Sequence, residues 1–175
     1  MYKIQNLIVD EHITVRTKAQ YLLSKITNPV LMFHYVRNDK TARAISQEHH
    51  LLPLGDVEPL YNTHPVYFKS RVNLTDIPPE RGRKEIAIAT GLHKNEICYG
   101  LELIVDGYNI TNAIEGYPHA YQIFTKEAVP AVVLRTWDMD KVEQRMRAGY
   151  KIKRKFNGIR IPIAFYELPQ KLEKD

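Results

Sequence analysis

Three apolar runs along the chain have the length and composition of buried β-strands. Residues Val30 to Val36 are apolar or aromatic apart from His34, a pattern typical of a strand that is buried on both faces. Residues 97–105 form a second run of this kind, and residues 129–137 form a third. Of these runs, residues 97–105 are predicted to lie in the middle of a β-sheet.

Helical patterns lie before, between and after these runs. Residues 10–26 place their apolar positions on one side of a predicted helix. Asn38 or Asp39 can cap a second, short helix directly after the first strand. Asp138 can cap a late helix that closes at Gly149, because glycine favours the position just past a helix end.

Shorter strand patterns and one loop fill the remaining central part. Residues 66–68, 85–89, 108–111 and 121–125 have strand-like composition, whereas residues 72–83 contain two prolines and a glycine and predict a loop. The pattern as a whole predicts an α+β fold with a mixed β-sheet core and with helices early and late. We expect one domain that spans residues 1–175.

The C-terminal part predicts a β-hairpin with one cationic face. Asn157-Gly158 is the strongest short hairpin signal, and it lies between two strand-like segments. One face of this hairpin would be apolar, and the other would carry Lys151, Lys153, Lys155 and Arg160. These cations could contact nucleic-acid phosphates without sequence preference, or they could be a solvated face that keeps a sheet edge from aggregating.

Composition limits the classes of protein that the chain can belong to. The 175 residues are 44% hydrophobic and carry a formal net charge of +5, and the single cysteine excludes an internal disulfide. The basic balance favours an anionic partner such as nucleic acid. No apolar stretch reaches the length of a membrane span, and the first residues lack the pattern of a signal peptide. We therefore expect a cytoplasmic protein without a membrane partner.

Three polar residues fall on or beside the predicted strands. An imidazole inside a buried strand requires a hydrogen-bond partner, so His34 taken alone favours a structural role. Tyr67 lies in the strand-like segment 66–68, and Arg71 follows just beyond it. With these two residues added, a binding site and a structural role are equally well supported.

A histidine strand, a short helix and a tyrosine strand, in this order, resemble the opening of the ADP-ribosyltransferase fold. The segment that contains Tyr67 and Arg71, PVYFKSRVN, is similar to the Tyr-Phe-x-x-Arg segment of DarT-type toxins, which attach ADP-ribose to bases of single-stranded DNA. Residues 120–130 resemble the strand that carries the family's catalytic glutamate ahead of a Val-Pro pair. In this chain the pair Val129-Pro130 puts Gln122 at the place of that glutamate.

The resemblance implies NAD as the donor substrate and single-stranded nucleic acid as the acceptor, and it admits an antitoxin or another protein partner. It implies that His34 holds the ribose or amide of NAD, that Tyr67 stacks on the nicotinamide, and that Arg71 serves the acceptor base or the NAD phosphates. Gln122 would occupy the catalytic position without the charge that stabilises an oxocarbenium. Glu115 and Glu127 are the nearest carboxylates, and either could substitute.

Several interpretations follow for function. The glutamine at 122 is either a natural loss or an inactivating exchange, so an active ADP-ribosyltransferase and a catalytically impaired relative both remain open. A small basic nucleic-acid-binding protein that uses the hairpin is the third alternative. His49, His50 and His64 are expected to be solvated or to lie at a rim, because adjacent residues on a helix point apart and no carboxylate or histidine lies at the i+4 spacing. We therefore expect no metal site.

Overall fold

The apolar run Pro29–Val36 forms the central strand, β1. The computed structural model describes residues 18–19, 21–54, 69–112 and 116–151. β1 is buried along most of its length. It pairs antiparallel with the strand Tyr99–Asp106 over all of its 8 residues. The predicted buried strand is therefore confirmed, and its apolar side chains on both faces explain its central place.

The described part of the chain contains four α-helices and eight β-strands. The helices are α1 (residues 18–19 and 21–25), α2 (Asp39–Glu48), α3 (Gly82–Thr90) and α4 (Met139–Arg147). The other strands are β2 (His50–Leu51), β3 (Arg71–Thr75), β4 (Tyr99–Asp106), β5 (Thr111–Asn112), β6 (Ala120–Phe124), β7 (Val129–Pro130) and β8 (Val132–Asp138). This confirms the predicted α+β class, but the expectation of a mixed sheet is wrong, because all pairings among the described strands are antiparallel. Among the described residues, no helix has the length and apolar character needed to cross a membrane.

The sheet order brings distant parts of the chain together. Six strands form one antiparallel sheet in the order β5-β6-β3-β1-β4-β8, and β2 pairs with β7 in a separate two-stranded sheet. The first strand therefore lies between β3 and β4. The strand that carries Gln122, β6, lies on the far side of β3 from β1.

Strand alternation gives the large sheet two faces, which we name after the helices that cover them. The α2 face carries Met32, His34 and Val36 of β1, and Met32 and Val36 pack in one cluster with apolar residues of α2. The α3 face carries Phe33, which is fully buried against Ile86 of α3. Each face thus has its own apolar layer.

The predicted starts of α2 and α4 are confirmed, and so is the glycine that follows α4. The Asn38 side chain accepts a hydrogen bond of 2.8 Å from the backbone N–H of Thr41 at the start of α2. The Asp138 carboxylate accepts a bond of 3.0 Å from the backbone N–H of Asp140 at the start of α4. Gly149 follows α4 with a φ of 87°, a conformation that glycine adopts without strain. These capping side chains satisfy backbone donors that a helix start leaves without partners.

The prediction of a strand over residues 85–89 is wrong, because these residues lie in α3. Their alternating apolar pattern fits either structure over so short a range. In the helix Ile86 is fully buried, whereas Ile88 is 68% exposed. Gly91, with a φ of 75°, ends the helix and donates a backbone hydrogen bond of 2.9 Å to Ala87. Gly91 in this left-handed conformation marks the end of the helix, as glycine commonly does.

Two further corrections concern neighbouring segments. The predicted loop 72–83 instead begins with most of β3 and continues into the 3₁₀-helix Pro79–Arg81. The predicted strand 108–111 is replaced by the 3₁₀-helix Gly107–Asn109, and only Thr111 of that range enters a strand. The two prolines of residues 72–83 do lie in non-strand backbone, after β3 ends at Thr75.

The prediction that His49 is solvated is also wrong. Its side chain is 2% exposed, and its φ of 52° lies in the left-handed region that ends α2. Its Nδ1 accepts a hydrogen bond of 3.0 Å from the backbone N–H of Val133. His49 is therefore a structural residue that joins the end of α2 to β8. His50 is half-buried, and His64 lies outside the described residues.

Candidate functional site

The sheet opens between β1 and β3. These two strands share one backbone pair, Phe33 with Thr75, although both continue beyond it. Residues 33–36 and residues 71–75 line the same cleft from opposite sides. An ordinary antiparallel ladder would have closed this space with further pairs. The separation therefore creates a site at the centre of the sheet, where two strands hold side chains rigidly.

The cleft is large enough for a nucleotide-sized ligand. Its volume is 1120 Å³, just above the range of about 300–1,000 Å³ that is typical of ligand sites. The two strands, α2 and the segment after α3 provide its walls. Polar and charged residues along it include Arg37, Lys40, Glu48, His50, Arg71 and Glu96.

His34 contributes a neutral imidazole to the cleft. Its Nδ1 lies 2.7 Å from the backbone carbonyl oxygen of Asn73 in β3. A carbonyl only accepts, so Nδ1 carries the proton and donates it, which leaves Nε2 of the neutral ring with its lone pair. Burial lowers the pKa of His34, although the bond to Asn73 opposes part of that effect. No described residue hydrogen-bonds to Nε2, so this atom can accept a hydrogen bond from a ligand.

Arg71 and Gln122 are in direct contact. Arg71 Nη1 donates a hydrogen bond of 3.1 Å to Gln122 Oε1. The guanidinium carbon lies 4.5 Å from the centre of the Phe124 ring, a distance that suits a cation–π contact. Arg71 lines the cleft, whereas Gln122 is 4% exposed behind it. The amide and the aromatic ring thus orient the guanidinium, and two residues singled out in separate parts of the sequence lie together.

The sheet register directs Gln122 and His34 to opposite faces. Asn73 pairs with Gln122, and Phe33 pairs with Thr75, so Gln122 belongs to the α3 face. His34 belongs to the α2 face, because successive residues of a strand alternate. Gln122 therefore reaches the cleft through Arg71 and not beside His34.

The residue of β6 that shares a face with His34 is Tyr121. Tyr121 pairs with Leu74, which belongs to the α2 face, and both residues line the cleft. The Tyr121 hydroxyl donates a hydrogen bond of 3.4 Å to Asp76 Oδ2. Burial, followed by the negative charge of Asp76, raises the pKa of Tyr121, so the phenol keeps its proton and remains a donor.

Asp76 and His119 extend this group beyond the ends of β3 and β6. His119 Nδ1 lies 2.8 Å from Asp76 Oδ1, while Tyr121 holds the other carboxylate oxygen. The two residues face each other one step past the last pair of the two strands, Thr75 with Ala120. Sequence reasoning missed Asp76, His119 and Tyr121, because only the pairing of β3 with β6 brings them together. The alternation of His119 and Tyr121 along one strand was the available signal.

The remaining predicted site residues either fall outside the described residues or are exposed. Tyr67, Lys153, Lys155 and Arg160 are outside the described residues, as is Glu115. Lys151 is described and exposed. Glu127 is exposed in the turn before β7, where its backbone N–H donates a bond of 2.9 Å to the Thr125 hydroxyl.

Two carboxylates line the described part of the cleft. Glu48 forms an ion pair of 2.6 Å with Lys18, and the hydrogen bond from this lysine lowers the pKa of Glu48. Glu96 is half-buried at the end of the 3₁₀-helix Lys94–Glu96. With Arg37, Lys40 and Arg71 also present, cations outnumber carboxylates here. The cleft therefore suits a ligand that carries negative charge.

Neither a metal cluster nor a known relative adds to this description of the site. Within the part of the chain that the structure describes, no group of three or more His, Cys, Asp or Glu side chains could hold a metal ion. No protein-family model, curated protein or solved structure matches this chain.

Proposed function

We propose that this protein is an ADP-ribosyltransferase that uses NAD as its donor and nucleic acid, in single-stranded form, as its acceptor. The observation that carries the proposal is the opening between β1 and β3, with a neutral His34 on one side and Arg71 on the other. The resemblance seen in the sequence implies a nicotinamide riboside held between the strand of His34 and the predicted strand of Tyr67, which lies outside the described residues. A cleft of 1120 Å³ has room for such a dinucleotide.

The described side chains fit an anionic dinucleotide. The Nε2 of His34 can accept a hydrogen bond from a ribose hydroxyl or from the carboxamide of nicotinamide, both of which are donors. The Arg71 guanidinium, held by Gln122 and Phe124, suits a phosphate or the acceptor base. When bound, NAD would supply the activated ribose, since its glycosidic bond already has a cationic leaving group.

A catalytically impaired relative is the second candidate. The observation that favours it is the neutral amide of Gln122, which is bonded to Arg71 and directed away from the face of His34. An amide cannot offset the positive charge of an oxocarbenium as a carboxylate does. Such a relative would bind NAD or nucleic acid in the same cleft without releasing nicotinamide.

Calorimetry with NAD and a nicotinamide-release assay test both candidates. We expect the parent to bind NAD and to release nicotinamide when single-stranded DNA or RNA is present. His34→Ala and Tyr67→Ala should each weaken NAD binding while the fold remains intact, and His93→Ala, an exposed histidine, is the matched control. NAD binding without nicotinamide release would favour the impaired relative. No NAD binding in the parent, or unchanged affinity in both variants, would remove the assignment.

A Gln122→Glu variant tests the catalytic position itself. A carboxylate at 122 would stand against the Arg71 guanidinium and would supply the missing negative charge. We expect NAD-dependent modification of an oligonucleotide to rise on the order of a hundredfold or more. An unchanged rate on both single-stranded DNA and RNA would show that residue 122 is not the catalytic one.

A further inference from the structure

The group formed by Asp76, His119 and Tyr121 has the geometry of an oriented base at the rim of the cleft. Tyr121 lines the cleft, and so do Thr75 and Ala120, the pair that directly precedes Asp76 and His119 in the ladder. The His119 side chain is 47% exposed, and that of Asp76 is 29% exposed. The group is therefore rigid at its inner end and open to a substrate at its outer end.

Each hydrogen bond in this group has a defined direction. The Tyr121 hydroxyl donates to one oxygen of Asp76 at 3.4 Å, and His119 Nδ1 donates to the other at 2.8 Å. A neutral imidazole whose Nδ1 carries the proton has its lone pair on Nε2. No described residue hydrogen-bonds to that nitrogen. The carboxylate thus fixes the tautomer and the ring orientation, as the third member of a nucleophile–base–orienter arrangement does.

The alternation of side chains along a strand places this group on the α2 face, which also carries His34. His34, Leu74 and Tyr121 lie in one row across β1, β3 and β6, with Asp76 and His119 in the next row on the α2 face. Two strand spacings, about 10 Å, separate His34 from Tyr121, and about 7 Å along β6 separates Tyr121 from His119. A ligand that extends from His34 along this face would therefore reach toward the His119 group, whereas Gln122 lies on the opposite face.

We propose that His119 is the general base that takes the proton of the acceptor during transfer, and that Asp76 is the positioning residue that orients it. This inference rests on the proposed function. His119 Nε2 takes the proton from the acceptor N–H or O–H while the acceptor's lone pair bonds to the ribose carbon. The electron pair of the broken glycosidic bond goes to the nicotinamide nitrogen, so nicotinamide leaves neutral. The acceptor class is accordingly a nucleic-acid group that carries a removable proton, such as an exocyclic or ring N–H or a hydroxyl.

The first test reads the tautomer of His119 without any ligand. In ¹⁵N-labelled parent protein we expect the neutral His119 ring to carry its proton on Nδ1. In Asp76→Asn the preference should be lost, since an amide can donate as well as accept. A parent ring with its proton on Nε2 would overturn the proposal, because that nitrogen could not act as a base.

The second test measures transfer to an oligonucleotide. We expect His119→Ala to lower the transfer rate by about 10²–10⁴-fold while NAD affinity stays at the parental value. Added imidazole should restore part of the rate in His119→Ala, which it would not do if the residue were only structural. Asp76→Asn should lower the rate as well, and His93→Ala is the control.

The outcomes separate this inference from the function on which it rests. If the parent transfers ADP-ribose and His119→Ala transfers it equally well, only the role of His119 is wrong. If the parent binds no NAD or releases no nicotinamide, the proposed function falls and the role of His119 falls with it. A His119→Ala protein that loses NAD binding would also contradict the role, because a base for the acceptor is not needed to bind the donor.

Discussion

At the scale of single residues, His34 links the stability of the domain to pH. Burial lowers its pKa below the ordinary value of 6.5, and the hydrogen bond to Asn73 opposes this only in part. The unfolded chain therefore takes up a proton at a higher pH than the folded chain does. The stabilisation is complete above the unfolded pKa, and it is lost as the pH falls from there toward the folded pKa.

A His34→Gln variant should remove this dependence. We expect the free energy of unfolding of the parent to fall between about pH 7.5 and pH 5.5 by more than that of His34→Gln, since glutamine has no proton to gain. Urea unfolding at the two pH values measures the difference. His93→Gln, at an exposed position, should keep the parental dependence. Equal pH dependence in the parent and in His34→Gln would contradict the lowered pKa.

Part of the candidate site could be predicted residue by residue. His34 and Arg71 line the cleft, and Arg71 contacts Gln122, so three of the residues singled out in the sequence lie in one region. The face to which Gln122 points could not be predicted, because a shift of one residue in strand register reverses it. Asp76 and His119 are 43 residues apart. Only the pairing of β3 with β6 makes them neighbours.

At the scale of elements, Arg83 joins three parts of the α3 side of the molecule. From the first turn of α3, its Nη1 lies 2.9 Å from Glu143 and its Nη2 lies 2.6 Å from Asp140, both in α4. Its Nε donates a bond of 2.8 Å to the carbonyl of Ile97 before β4. The side chain is 21% exposed, so these bonds are partly shielded from water. A planar guanidinium with five N–H donors can make these three contacts at once, which suits arginine in particular.

Loss of this network should lower stability measurably. We expect Arg83→Met, which keeps the apolar stem, to lower the free energy of unfolding by about 1–3 kcal/mol. Glu143 Oε2 and the Ile97 carbonyl would lose their partner, whereas Glu143 Oε1 would keep the backbone N–H of residue 83. Arg83→Lys should restore little, since an ammonium cannot make the three contacts at once. Denaturant unfolding measures both variants.

Arg81 offers a matched control for that experiment. It lies two residues away and pairs with Glu85 on an exposed surface. Exposed pairs of this kind contribute little to stability. Arg81→Met should therefore unfold like the parent, and a loss as large as that of Arg83→Met would show that arginine removal itself destabilises this region.

Single residues predicted helix ends correctly where a backbone requirement can be met by few residue types. Asn38, Asp138 and Gly149 mark helix ends because their side chain or conformation satisfies a backbone requirement that few residues meet. Periodicity over five residues was weaker evidence. At residues 85–89 two isoleucines spaced by two fit a strand and a helix alike, and packing of Ile86 against β1 decides for the helix.

At the scale of the whole molecule, the sheet order was beyond the reach of sequence patterns. The apolar runs predicted a buried strand at β1 and a strand in the middle of the sheet at β4, and these two are neighbours, whereas β8, from the third run, is the last strand in the sheet order. The opening between β1 and β3 depends on which strands pair and where that pairing stops. Such non-local pairing has no local signature, so the cleft could be expected only through the resemblance.

The net positive charge is a property of the whole molecule, and four of its cations belong to the predicted hairpin. The formal net charge is +5, and the cations Lys151, Lys153, Lys155 and Arg160 are predicted to lie on one face of that hairpin. The structure describes Lys151, which is exposed, and the other three lie outside the described residues. If these cations contact phosphates, each contact releases counterions, so binding must weaken steeply as salt rises.

Replacement of all four cations by glutamine tests whether they bind nucleic acid. We expect this variant to bind labelled single strands more weakly than the parent at low salt. The slope of the logarithm of the binding constant against the logarithm of the salt concentration should also become shallower, by about 0.7 for each phosphate of a single strand that is no longer neutralised. The matched control replaces four exposed cations elsewhere, Lys25, Arg43, Lys94 and Lys126, so both variants lower the formal net charge from +5 to +1. A weakening confined to the hairpin variant supports a defined phosphate-binding surface. An equal weakening in both variants would show that only the net charge matters. If the hairpin variant binds as tightly as the parent, these four residues keep only the role of protecting a sheet edge.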